Sequence, residues 1–175
     1  MNFSFKIFPI LKSERLLLRE LSFNDIVDIY KLRSSKEINK LITRKTPKNL
    51  DDAKAFISVC YQEFKNENRI FWAIEFDEKL VGTIVFHRIS LEKNYAEIGY
   101  ELNPNFHQKG IMSEAMETIL EFGITNMNLK TIEAYTHQNN IASIALLEKY
   151  NFVYQPKRRC DSVEDNRIWK LVVSS

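Results

Sequence analysis

The chain has two cysteines in 175 residues, Cys60 and Cys160, and no Cys-x-x-Cys pair. Two isolated thiols in a chain of this size are expected to stay reduced. Neither has the spacing of a zinc ligand, so no metal site is predicted. Glycine is as scarce, with only Gly82, Gly99, Gly110 and Gly123. Four scattered glycines cannot supply Gly-x-x-x-x-Gly-Lys-Ser/Thr or Gly-x-Gly-x-x-Gly, so loops of those kinds for nucleoside triphosphates or NAD are excluded. An excess of charge is also missing, since 25 Lys and Arg face 23 Asp and Glu for a net charge of +2. Such a balance gives no whole-molecule field for polyanions, and no specific nucleic-acid partner is expected. No apolar run approaches the roughly 18 residues that a membrane helix needs. The apolar opening Met1 to Leu11 is interrupted by Lys6 and Pro9 and lacks a small-residue cleavage site, which argues against a signal peptide. A cytoplasmic location without membrane attachment is expected.

What the chain does contain is enough apolar material for a core, with 45% hydrophobic and 27% charged residues. It reads as one folded domain spanning 1–175, without repeats, linkers or low-complexity stretches. Arg15 to Leu21 is β-like. Ser22 is a candidate N-cap for a helix through Ile26, Ile29, Tyr30 and Leu32, and a polar loop from Lys40 to Asn49 precedes a helix over Asp51 to Phe64. Ile70–Phe76 and Leu80–Phe86 flank a turn at Asp77-Glu78 and read as a hairpin.

The organising stretch is Ala96 to Phe122. Ala96, Ile98, Tyr100 and Leu102 alternate with Glu97, Gly99 and Glu101, which is a strand with two unlike faces. Asn103-Pro104 breaks it, and from Gly110 the period turns helical, with Ile111, Met112, Ala115, Met116, Ile119, Leu120 and Phe122 on one face. A strand entering a helix through a glycine leaves unpaired backbone N–H groups at the helix start. That is a place for an anion. Lys130 to Thr136 is a further strand, predicted to run parallel to the Ala96 strand across the helix. Asn139-Asn140 caps a helix to Glu148-Lys149, and strands at Phe152–Tyr154 and Arg167–Val173 close a mixed α/β sheet with helices on both faces.

Three blocks carry a resemblance to the Gcn5-related N-acetyltransferases, and within them to the branch that acetylates ribosomal-protein N-termini. They are Glu14-Arg15-Leu16-Leu17-Leu18-Arg19, Glu97-Ile98-Gly99-Tyr100 through Gly110 to Glu114-Ala115, and Asn140-Ile141-Ala142-Ser143 through Glu148-Lys149-Tyr150-Asn151-Phe152. The resemblance implies the family's mostly antiparallel sheet, with two parallel strands splayed to admit the pantetheine arm of coenzyme A. It also implies acetyl transfer from acetyl-coenzyme A to a primary amine by direct attack, with a protein N-terminus as the acceptor expected first. A small amine such as a polyamine or an aminoglycoside is the alternative acceptor, and a silent coenzyme-binding module the alternative to an enzyme. The family's pyrophosphate motif falls on His107-Gln108-Lys109-Gly110-Ile111-Met112. Only Gly110 is kept, with His107-Gln108 where the branch has Trp-Gly and Met112 where it has a small residue. Ser113, Asn140, Ser143 and Leu102 complete the coenzyme contacts that the resemblance implies.

Acetyl transfer needs a neutral amine, stabilisation of an oxyanion and a proton for the departing thiolate. Glu97 matches the glutamate that serves as base in histone-acetylating members, or is a strand residue paired across the sheet. Glu101 shares its face, and two carboxylates there suit a base or attract a cation; His107 is a further candidate. For the thiolate's proton the resemblance points to Ser143 and, further on, Tyr150; as bare residues these read equally as a cap and as packing. Asn151 stands where the family has glycine and is the residue best suited to replace it in a left-handed turn. Lys157-Arg158-Arg159 reads as a solvated face, or as a contact for the coenzyme's 3′-phosphate, an acidic protein or ribosomal RNA. Monomer and homodimer both stay open.

Overall fold

A computed structural model describes residues 3–173, so Met1 and Asn2 of the apolar opening and the two terminal serines lie outside the described residues. The strands are β1 (Leu11–Lys12), β2 (Leu16–Glu20), β3 (Arg69–Phe76), β4 (Lys79–Ser90), β5 (Tyr95–Leu102), β6 (Thr131–His137), β7 (Val153–Tyr154) and β8 (Asn166–Val172). They form one sheet in the order β1-β2-β3-β4-β5-β6-β8-β7. Every neighbouring pair is antiparallel except β5 and β6. The helices are α1 (Ile26–Ser34), α2 (Lys36–Asn39), α3 (Leu50–Lys65), α4 (Ile111–Thr125) and α5 (Ile141–Lys149).

Alternation along the strands divides the core between two faces. On one, Trp72, Ile84, Phe86, Ala96 and Ile98 pack with Ile111, Ala115, Met116 and Ile119 of α4 and with Leu147 of α5. Burying a side chain such as the fully enclosed Phe86 contributes about 1.5–3 kcal/mol. Gly123 lets α4 lie close on the sheet, because a Cβ there would come within 2.9 Å of the Phe86 ring. On the other face Leu21, Phe71 and Ala73 meet Ile29 of α1 and Ala53, Ile57 and Cys60 of α3. Helices cover both faces, as the sequence predicts.

Local chemistry sets the boundaries. Ser22 caps a 3-10 turn at Phe23–Asp25 that leads into α1, its side chain accepting from the N–H of Asn24. The Asp25 carboxylate is gripped by both terminal nitrogens of Arg19 at 2.8 Å. Burial alone would push that carboxyl up, but the bonds from Arg19 and Ser22 outweigh it and hold its pKa below the usual range. β4 runs past the predicted Phe86 to Ser90, because an irregularity between His87 and Ser90 breaks the strand period and turns Arg88 to φ 50°. Two elements are not foreseen. β1 is too short to alternate, and α2 is a single turn capped by Ser35. Asn151 takes the left-handed conformation expected of it, with φ 61°.

One topological feature positions the site. β5 and β6 are in parallel register only from Tyr95–Ile98 against Thr131–Ala134. Beyond Ala134, β6 continues pairing with β8 alone, Tyr135 facing Ile168 and His137 facing Asn166. The two parallel strands therefore part at Gly99, leaving Tyr100, Glu101 and Leu102 on the edge of a cleft in the middle of the sheet.

Candidate active site

A cavity of about 410 Å³ lies at this parting. β5 gives it Tyr100, Glu101 and Leu102; the following turn gives Phe106, His107 and Gln108; the start of α4 gives Gly110, Ile111, Met112 and Ser113. Asn140, Ala142, Ser143 and Leu146 enter from α5, and Glu37, Ile38, Leu41 and Ile42 from α2 and the loop after it. Tyr100 and Leu102 point to the α4 face of the sheet and Glu101 to the α1 face, so the cavity reaches both sides.

At one end stands the α4 N-terminus. Gly110 adopts φ 74° and has no side chain to cap the helix, and Gln108 is also left-handed at φ 59°. The first N–H groups of an α-helix have no intrahelical acceptor, so those of Ile111, Met112 and Ser113 form an anion-binding end. A diphosphate fits a cradle of this kind. Arg15 fastens it from below: its Nε donates to Glu114 at 2.7 Å and its Nη1 to the carbonyl of Lys109 at 3.1 Å. The loop is closed above by a bond of 3.1 Å between His107 Nε2 and the carbonyl of Leu102.

Deeper in the cleft, Tyr100 Oη and Ser143 Oγ are 2.8 Å apart. The N–H of Ser143 donates to the Asn140 side chain at 3.1 Å, so Asn140 is the N-cap of α5 and fixes the serine's position. Burial pushes the Tyr100 hydroxyl up to about 12. It therefore keeps its proton throughout the neutral range. The sequence reading misses Tyr100, which belongs to the apolar side of the strand's alternation.

Glu101 faces the other side. Its Oε1 lies 3.2 Å from Thr83 Oγ1 and 3.5 Å from Arg33 Nη1, and its Oε2 2.5 Å from Arg44 Nη2. Arg33 and Arg44, which stand behind the wall at Glu101, are likewise not marked by the sequence reading, nor are the lining residues Glu37, Ile38, Leu41, Ile42, Phe106, Ala142 and Leu146. Arg44 sits in a polar run where nothing marks it as turned inward.

The remaining candidates lie elsewhere. Lys109 is not in the cavity wall; its ammonium lies 5.1 Å from the Phe106 ring centroid. Tyr150 Oη donates to the carbonyl of Ser113 at 2.6 Å, linking α5 to the start of α4. Glu97 is not brought to the cavity either. It lies buried lower on β5, accepting from Arg88 at 3.0 Å and Tyr95 at 3.1 Å, in register with Glu133. Arg158, the middle of the basic run, is bonded to Glu133.

Curated relatives of this chain are named as N-acetyltransferases. The uncharacterized N-acetyltransferase YnaD of Bacillus subtilis (strain 168) is 35% identical over 140 residues, 78% of this chain and 78% of its own. The uncharacterized N-acetyltransferase YoaA of the same strain is 30% identical over 148 residues, 83% of this chain and 84% of its own. Among solved structures, the ribosomal L7/L12 alpha-N-protein acetyltransferase RimL in complex with coenzyme A superposes with a TM-score of 0.81, covering 94% of this chain and 98% of RimL. At 15% identity that likeness shows the fold alone. The family model of the acetyltransferase (GNAT) domain matches residues 15–153, from the arginine that fastens the α4 cradle to the strand after α5, and the chain belongs to that family as an N-acetyltransferase using acetyl-coenzyme A.

Proposed function

We propose that the acceptor is the α-amino group of a protein N-terminus, acetylated by direct attack while donor and acceptor are both bound. The observation that carries this reading is the state of the carboxylates at the cavity. Glu101 is held by two arginines and Thr83, and Glu37 is exposed. Neither is a free, enclosed carboxylate placed to act as a general base. A site without one suits an amine that is already partly neutral. An α-amino group titrates at about 7.7–8.0, against about 10.4 for lysine or a comparable alkylamine. RimL, named as a ribosomal L7/L12 alpha-N-protein acetyltransferase, shares the fold.

Each group in the wall then has a role. The start of α4 holds the coenzyme's diphosphate, and the thioester it supplies is the acetyl donor. Ser143, backed by Tyr100, gives a proton to the sulfur that departs and is reprotonated, directly or through solvent, by the proton that the attacking nitrogen loses. The opening on the α1 face, under Ile38, Leu41 and Ile42, admits the amine. His107 stays with the loop that it closes, and Tyr150 steadies α4 through Ser113.

Calorimetry with acetyl-coenzyme A, followed by thiol release with peptides, tests the reading. Release with free N-terminal peptides, and none with the same peptides blocked at Nα but containing lysine, is the expected result. Release with polyamines alone, or binding without release, would replace it. Glu97→Gln provides a second check. Glu97 lies outside the cavity and pairs with Arg88, so the pH profile of kcat/KM should superpose on that of the parent protein. A profile displaced upward would restore Glu97 as the base.

A further inference from the structure

The segment between α1 and α3 borders the open end of the cavity, and acetyl transfer by itself does not explain its charge. Residues 36–49 contain Lys36, Lys40, Arg44, Lys45 and Lys48 against one acid, Glu37. The four lysines are exposed along the segment that gives the cavity Glu37, Ile38, Leu41 and Ile42, a rim in sequence that does not itself line the wall. Arg44 turns inward. Its Nε donates to Asn39 at 2.8 Å and its Nη2 reaches Glu101 at 2.5 Å, with 12% of the side chain exposed.

Arg33 comes to the same carboxylate from α1, with 16% of its side chain exposed. Its guanidinium lies 3.8 Å from the Phe56 ring centroid. Among the described residues its only hydrogen bond is the long one to Glu101, 3.5 Å. A guanidinium has five donors in a planar fork, so most of those of Arg33 are unused. Two largely buried cations thus share one carboxylate, and a positive charge is left over beside the cavity wall. Arg158, in the other basic run, is by contrast committed to Glu133.

We propose that the acceptor is a protein N-terminus with acidic residues in its first few positions. The first carboxylate is received by Arg33 and Arg44 next to Glu101, and the following ones by the lysine rim. The inference rests on the N-terminal reading above and narrows it to one class of peptide. A planar fork takes a carboxylate through two parallel bonds, and burial strengthens the pairing by limiting screening. The rim acts differently. Its exposed lysines attract at a distance and are screened within about 8 Å at physiological salt.

The test is a set of equal-length peptides with the same first residue and with Asp/Glu, Ser/Gly or Lys at positions 2 to 4, assayed at low and high salt. Acidic peptides should exceed neutral ones in kcat/KM by at least about tenfold, mainly through KM, and the advantage should shrink in salt. Replacing two rim lysines, Lys40→Gln with Lys45→Gln, should reduce the ratio of acidic to neutral rates several-fold without disturbing the core. Arg33→Met should reduce it further. Equal rates across the set, or a preference for basic peptides, would overturn the charge assignment while leaving the N-terminal reading in place. Acetyl-coenzyme A binding with no peptide acetylated at all would overturn both.

Discussion

Gly110→Glu is expected to abolish acetyl-coenzyme A binding in calorimetry while leaving the protein folded. Two separable effects combine. Gly110 sits at φ 74°, where an L-residue costs about 1–2 kcal/mol. The Cβ itself is not crowded, since its nearest neighbour is Arg15 Nη2 at 3.4 Å. Strain therefore lowers stability modestly, by a few degrees in Tm. The carboxylate does the greater damage. It stands at the helix end whose N–H groups would receive the diphosphate, and a like-charge contact near a protein surface costs about 4 kcal/mol at 4 Å. Even half of that cost, added to the loss of the open cradle, weakens binding by at least about 30-fold. Gly110→Ala separates the two effects, having the strain but not the charge, and should lose far less affinity. Parent-like affinity in Gly110→Glu would mean that the coenzyme's phosphates lie elsewhere.

The same glycine shows how much of the site the sequence made legible. The α4 cradle could be read because its signals are local: a strand period, a break, a glycine and a helical face follow one another within 27 residues. β3, β4 and β5 were readable for the same reason. What stayed hidden depends on long-range register. Tyr100 occupies an apolar position of its strand, and only the approach of α5 brings Ser143 to within 2.8 Å of it. Arg44 lies in a polar run like any surface loop until Glu101, 57 positions later, draws it inward. The sequence reading weighs the opening segment only as a signal peptide, yet Phe3 meets Phe122 edge-on at 5.4 Å and Phe8 meets Trp72 at 5.9 Å, contacts with no periodic trace.

Glu97 illustrates a different limit. The match to the family glutamate is a match of strand position, whereas the use of a carboxylate depends on its neighbours. Here the parallel register sets Glu97 beside Glu133, with the single Tyr95 hydroxyl shared between their carboxylates at 3.1 and 3.2 Å. Burial would push Glu133 up, but the bonds from Arg158 and the two tyrosines prevail and lower its pKa. Arg88 is ion-paired with Glu97 as Arg158 is with Glu133. The pair is thereby a charge-balanced layer on the sheet, four residues short of the cavity wall at Glu101.

Ser143→Ala should reduce kcat by about 100-fold, the lower range for loss of a positioned proton donor, with acetyl-coenzyme A affinity nearly unchanged. The helix survives the change, because the Asn140 cap bonds the backbone N–H of residue 143 and not its hydroxyl. The cost to stability is the partner lost by the buried Tyr100 oxygen, about 1 kcal/mol, which a thermal melt separates from the catalytic effect. Tyr100→Phe should reproduce most of the kcat loss. With its hydroxyl pushed up to about 12, Tyr100 stays protonated far above neutral pH, so kcat should show no falling limb from this pair between about pH 6 and 10. If the two hydroxyls act as one relay, the double variant should be no slower than the slower single one. A simple product of the two single losses would mean that they act independently. Full kcat in Ser143→Ala would remove the serine from the reaction and leave Tyr100 as the hydroxyl to test against the sulfur.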